Sequence, residues 1–189
     1  MTERVAARRV HTGTFAGEQM QRTAQDVARR ANDHAGRLET LEDLVPVNAV
    51  LRVDFTTTAA TAQDTLLAFD VEDGDMWTVE YWGLAGVTGS ANGMKYAIKA
   101  PASSVVTGTI YSSLTSSTDF TTPTISAPNV LTAALHTVAG GTRPDHIHVR
   151  VRVVGTGQIA IQACSTTAGN TTTILAGAQL RATRYTEVG

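Results

Sequence analysis

The chain has 189 residues, enough for one full-sized hydrophobic core and an appendage, and 42% hydrophobic with 17% charged residues is an ordinary globular balance. Its 15 basic against 17 acidic side chains give a net charge of −2, which excludes a general electrostatic attraction for nucleic acid or an anionic membrane. A lone cysteine, Cys164, excludes an internal disulfide and a cysteine-rich metal cluster. The opening MTERVAARRV has no apolar core of the signal-peptide kind, and no stretch reaches the roughly 18 apolar residues of a membrane span. The expectation is a chain made soluble in a cytoplasm.

In chain order, residues 1–16 read as an arm. Arg4, Arg8 and Arg9 outweigh Glu3, a basic balance suited to docking on an acidic protein surface, with a frayed terminus as the alternative. Residues 17–45 follow a four-three rhythm of apolar or small residues: Met20, Ala24, Val27, Ala31, His34, Leu38, Leu41 and Val45. Steps of four and three average about 3.5 residues, which keeps one stripe against a partner helix and favours a coiled coil. Arg37 and Glu42 fall at the g and e positions of a parallel neighbour, and Gly36 falls at the outermost position, where it leaves no hole in the seam. His34 forms a polar layer suited to fixing register or strand number. The alternative is a single helix packed on the domain that follows. Pro46 ends the helix.

From 46 to 189 the helical rhythm gives way to short runs of Val, Ile, Thr and aromatic residues between Gly, Pro, Ser and Asn, which predict an all-β domain. Predicted strands cover Val50–Phe55, Thr65–Val71, Trp77–Leu84, Met94–Lys99, Val105–Tyr111, Leu131–Thr137, Ile147–Val154, Gln158–Cys164 and Ile174–Arg184. Their spacing suits two packed antiparallel sheets, a sandwich or jelly roll, with Ser112–Pro128 as a long polar surface loop.

The stretch PDHIHVRVRV, Pro144 to Val153, carries the first candidate chemistry. On a strand, Ile147, Val149, Val151 and Val153 share one side, while His146, His148, Arg150 and Arg152 share the other. Two imidazoles one residue apart are within reach of one metal ion, as in jelly-roll cupins. The glutamate of the cupin pattern is missing before Gly155, and His136 and Asp145 join such a set only if the fold brings them in. A wet or subunit-facing strand, with Arg150 or Arg152 pairing a neighbour's carboxylate, is the simpler reading, and no metal or other cofactor is expected.

Asp70, Glu72, Asp73 and Asp75 crowd around Gly74 and suggest either a calcium loop or an Asp-Gly hairpin turn, the turn being the simpler. Cys164 ends an apolar strand with no histidine nearby in sequence and reads as a buried, inert thiol. Trp77 and Tyr81 share a strand face and Trp82 points the other way, which suggests core packing with one half-exposed ring rather than a sugar platform. No phosphate-binding glycine loop, zinc-protease helix or serine elbow is present. An enzyme is therefore not expected.

The basic arm, the heptad helix and a β-domain rich in Thr, Gly and Ala together resemble the trimeric appendage proteins of tailed bacteriophages. Within the β-domain, LAFDVEDGDMWTVEYWGL, GMKYAIKAP and GTGQIAIQACSTTAGNTTTILAGAQLRATR resemble the tumour-necrosis-factor or C1q-type jelly-roll knob of such virion proteins. The resemblance implies a homotrimer with parallel helices, knobs around a threefold axis and an arm plugged into the virion. It implies a short tail fibre whose knob meets a glycan or protein of the host surface. The same trimer as a capsid decoration or head fibre is the alternative, and a cupin-like metal enzyme using His146 and His148 is a second one. No nucleic acid and no membrane insertion are expected of it.

Overall fold

The computed structural model describes residues 24–33, 45–88, 93–113, 120–136 and 141–185. The chain divides into two units, Met1–Leu44 and Val45–Gly189. In the first, residues 24–33 form a helix that carries Ala24, Val27 and Ala31 of the seam, with Val27 61% exposed. Asp26 and Arg29 lie 3.9 Å apart across one turn of it. Met20, His34, Leu38 and Leu41 lie outside the described residues, as do Gly36, Arg37, Glu42 and the arm with Arg4, Arg8 and Arg9. The predicted helix overreaches at its end: Val45 sits in a bend, because Pro46 restricts the residue before it to extended backbone.

The second unit is an antiparallel β-sandwich. Among the described residues it contains β1 (Val47–Val50), β2 (Phe55–Thr57), β3 (Gln63–Val71), β4 (Met76–Val87), β5 (Met94–Lys99) and β6 (Val105–Ser113). It continues with β7 (Phe120–Thr121), β8 (Thr124–Ile125), β9 (Arg143–Arg152), β10 (Gly157–Ser165), β11 (Thr172–Ile174) and β12 (Gln179–Arg184). The large sheet runs β1-β12-β4-β9-β6-β7, with β11 joining β4 to β2 and β8 on β6; the small sheet runs β3-β10-β5.

The pairing is nested. β1 pairs β12, β3 pairs β10 and β4 pairs β9, so the chain is one long antiparallel hairpin rolled into two layers. Segment 129–135 closes the nest on β5, through Asn129 N–H to Ile98 O at 2.8 Å, Thr132 N–H to Tyr96 O at 2.9 Å and Leu135 N–H to Met94 O at 2.7 Å. This wiring is that of a jelly roll. Three residues of the segment answer every two of β5, which bulges it and keeps the predicted strand Leu131–Thr137 from becoming regular.

Alternation explains the core. On β4 every second side chain from Trp77 through Val79 and Tyr81 points inward, and Ile147, Val149 and Val151 of β9 do the same beside them. They close on Leu67, Phe69 and Val71 of β3 and on Ile159 and Ile161 of β10, all buried. Within the large sheet β6 and β9 come unusually close at Gly108, where a Cβ would run into His148 O and stand 2.6 Å from the Cα of Val149.

Several boundaries differ from the sequence reading. Predicted strand Val50–Phe55 breaks because Leu51 turns into the core and bonds Ala178 O and Gly177 N–H. Predicted strand Ile174–Arg184 is split into β11 and β12 by a turn with Gly177 at φ 92°. The predicted loop Ser112–Pro128 contains β7 and β8, which pair back onto β6. The Asp-Gly turn is a corner, not a hairpin, since β3 lies in the small sheet and β4 in the large one.

Candidate functional site

The outer face of the large sheet is built by register. Trp82 of β4, His146 of β9 and Tyr111 of β6 are direct cross-strand partners. Their rings stack: Trp82 and His146 are 5.1 Å apart at 6°, and His146 and Tyr111 are 5.9 Å apart at 20°. Parallel rings on neighbouring strands stand up from the sheet instead of lying flat. The imidazole is thereby held between two aromatic faces, and its Nε2 is buried without a hydrogen-bond partner. Trp82 is still 40% and Tyr111 49% exposed.

Beside Trp82, the row continues through Gln179 of β12 to Val50 of β1. Two open grooves flank the indole there. One of about 370 Å³ runs along Leu84 and Ala176–Gln179, and one of about 310 Å³ runs along Asn48, Val50 and Arg181. The next row holds Arg181, Glu80, His148 and Thr109, and the rows below it hold Arg150 and Arg152.

The structure separates the proposed metal ligands. His146 and His148 point out from β9, while Asp145 points in and is 2% exposed. His136 joins Asp145 in the interior, so the four side chains do not converge. Among the described residues no three His, Cys, Asp or Glu side chains gather as a metal site.

The interior instead holds a polar cluster that sequence reading missed. The Asp145 carboxylate lies 2.8 and 2.9 Å from His136 Nε2 and accepts from Ser112 Oγ and from the Tyr96 hydroxyl at 2.6 Å. Tyr81 OH lies 3.4 Å from Tyr96 OH. Burial, reinforced by the Asp145 charge, pushes the Tyr96 phenol well above its ordinary value, and burial pushes Tyr81 up as well. Both stay neutral donors. His136 is held in left-handed backbone at φ 51°, and its Nδ1 has no hydrogen-bond partner.

A serine, a histidine and an aspartate meet here, but not as a nucleophilic relay. Ser112 Oγ and the carboxylate both approach the same ring nitrogen, and the serine hydroxyl donates to Asp145. Ser112, His136 and Asp145 are all at most 2% exposed. The arrangement can tie β5, β6 and β9 to residue 136; it presents no reacting atom to solvent. Asp145 was the legible signal, a charge in the inward phase of an otherwise apolar strand face.

The acidic turn is likewise occupied from within. Burial by itself would raise the Asp75 carboxyl, but the Glu72 N–H, Arg184 and the Trp77 indole N–H together hold it below its ordinary value. Arg184 also lies over the Trp77 ring, 5.7 Å from its centre, and Asp73 accepts from Gly155 N–H at 2.7 Å. Asp70 accepts from Gln158. Gly74 at φ 87° makes the turn possible. Trp77 and Tyr81 are core residues, as their shared strand face predicted. Cys164 is buried, and burial raises its thiol despite Lys95, which leaves little thiolate.

No family model matches the chain, and no curated protein is significantly similar to it. Solved structures match it weakly. One is a carbohydrate-binding module of the β-sandwich superfamily, at 9% identity and a TM-score of 0.24, over 64% of this chain and 54% of that one. Another is the structure of infectious bursal disease virus Gx strain, at 12% identity and a TM-score of 0.22, over 72% of this chain and 36% of that one. The VP2 subviral particle of infectious bursal disease virus matches at 10% identity and a TM-score of 0.21, over 74% and 36%. The chain thus spans between about a third and about half of the structures it matches, and TM-scores this low establish no common fold.

Proposed function

We propose that the chain is a virion structural protein of a tailed bacteriophage, a homotrimeric short fibre with its arm on the particle and its β-domain outward. The observation that carries this reading is the order of the parts: a seven-residue seam directly ahead of a jelly-roll domain, joined through Pro46. A seam of this length with Ala and His at three of its positions makes a weak coiled coil alone, so an oligomeric β-domain beside it is the natural complement. The carboxylates of the polar clusters described above are engaged by groups of the same chain, which favours a structural role over catalysis. The arm's arginines dock on another virion protein, and exposed loops of the β-domain meet the host surface at the tail.

Sedimentation of the purified chain and immunogold labelling of purified particles test this together. A trimer mass with label at the tail supports the whole reading. Label on the head replaces the tail fibre with a capsid decoration. A monomer that labels no particle refutes it.

A further inference from the structure

The outer face of the large sheet has the composition of a buried interface. Contact cores are enriched in aromatic residues, Met and Arg and depleted in Lys, Glu and Asp. This face presents Trp82, Tyr111, His146 and Met76, with Arg150, Arg152 and Arg181 around them; among the described residues its one carboxylate is Glu80. Both lysines of the chain lie on the small sheet, where Asp64 and Asp70 are also exposed. Val50, Leu84 and Val105 add three more exposed apolar side chains to the large-sheet face.

Chain continuity points to the occupant. Val45, the last seam position, is separated from β1 by Pro46 alone, and β1 is the edge strand of this same sheet. In the proposed trimer, copies joined in parallel along the seam have their β1 strands tethered near one another by chain connectivity alone. The surface next to that edge starts with Val50, in the row of Gln179, Trp82, His146 and Tyr111.

We propose that this face is where copies of the β-domain close on one another, with the Trp82–His146–Tyr111 stack at the contact. The inference rests on the homotrimer part of the proposed function and is independent of where on a particle the trimer sits. Aromatic side chains that fill a partner's groove are the usual carriers of binding energy, and the two grooves beside Trp82 give a neighbouring copy a place to insert.

The test uses the full chain with a benzophenone side chain in place of Tyr111, and in a second protein in place of Leu66, which is exposed on the small sheet. Illumination should join copies through position 111, with the adduct mapped to the β-domain, and leave position 66 unjoined. In parallel, Trp82→Arg should weaken association at least about 30-fold by sedimentation, the loss expected of a hot-spot aromatic, with an unchanged circular dichroism spectrum. Leu84→Arg serves the same purpose should the first variant misfold. A trimer that fails to crosslink through position 111, or whose association ignores both arginine substitutions, overturns the proposal and leaves the seam as the sole contact; the face would then be open to a glycan or another protein. A monomer overturns both this inference and the trimer on which it rests.

Discussion

Replacing Asp145 with alanine removes the acceptor shared by His136, Ser112 and Tyr96, all of them buried. Each buried donor left without a partner costs about 1–3 kcal/mol, and Asp145 serves three of them. The donors relax together around the same cavity, so their penalties do not add in full, and about 3–5 kcal/mol is expected for Asp145→Ala. That is a large part of the roughly 5–15 kcal/mol that stabilises a domain, and it lowers the melting temperature by about 6–20 °C. Urea unfolding followed by tryptophan fluorescence, at one fixed protein concentration, measures it. His136→Ala should fall in the same range, and the double variant should lose clearly less than the sum of the two. A loss below about 1 kcal/mol for Asp145→Ala, or strict additivity with His136→Ala, would refute the account of this cluster as a clamp.

Three further outcomes follow from the same structure. Tyr81 and Tyr96 hold their protons more tightly folded than unfolded, so their contribution is complete below about pH 10 and is lost as pH rises beyond it. The slope is about −1.4 kcal/mol per pH unit for each tyrosine, and Tyr81→Phe should remove one such share in alkaline unfolding titrations. Asp75 has the opposite sign: its lowered carboxyl stabilises the fold above the ordinary carboxylate range and loses that effect in acid, and Arg184→Gln should blunt this acid sensitivity in melting curves between pH 2 and pH 5, roughly the carboxylate range. Gly108→Ala should cost about 1–3 kcal/mol in urea, because the new methyl group meets the backbone of β9. A neutral result there would mean that β6 and β9 can part without loss.

Strands with strict alternation were legible, since a two-residue period of Val and Ile facing charge has few other physical explanations. PDHIHVRVRV is a strand with a polar outer face for that reason, and its valines are core. Long-range pairing was not legible. Nothing local tells Trp82 that its neighbours are His146 and Tyr111, because register across β4, β9 and β6 is set by the whole nest. The same holds for the buried cluster, in which Tyr96, Ser112 and Asp145 come from three different strands and His136 from an irregular segment. The short strands β7 and β8 were missed, and β2 and β11 were met only at Phe55 and Ile174, because two or three residues carry too little periodicity to register. The Asp-Gly turn was found from its residues, but whether it joined one sheet or two depended on layers that a turn does not encode.

The nested wiring also bears on how the molecule comes into being. β12, the last strand in sequence among the described residues, lies between β1 and β4 rather than at a rim. Until it arrives, the first strand has no backbone partner and β4 has a bare flank, so a half-synthesised chain emerging from the ribosome is a sticky open sheet. Folding must wait until β12 is available, and it proceeds through distant encounters that are slow to form. A truncation ahead of β12 would therefore undo the whole β-domain instead of trimming it.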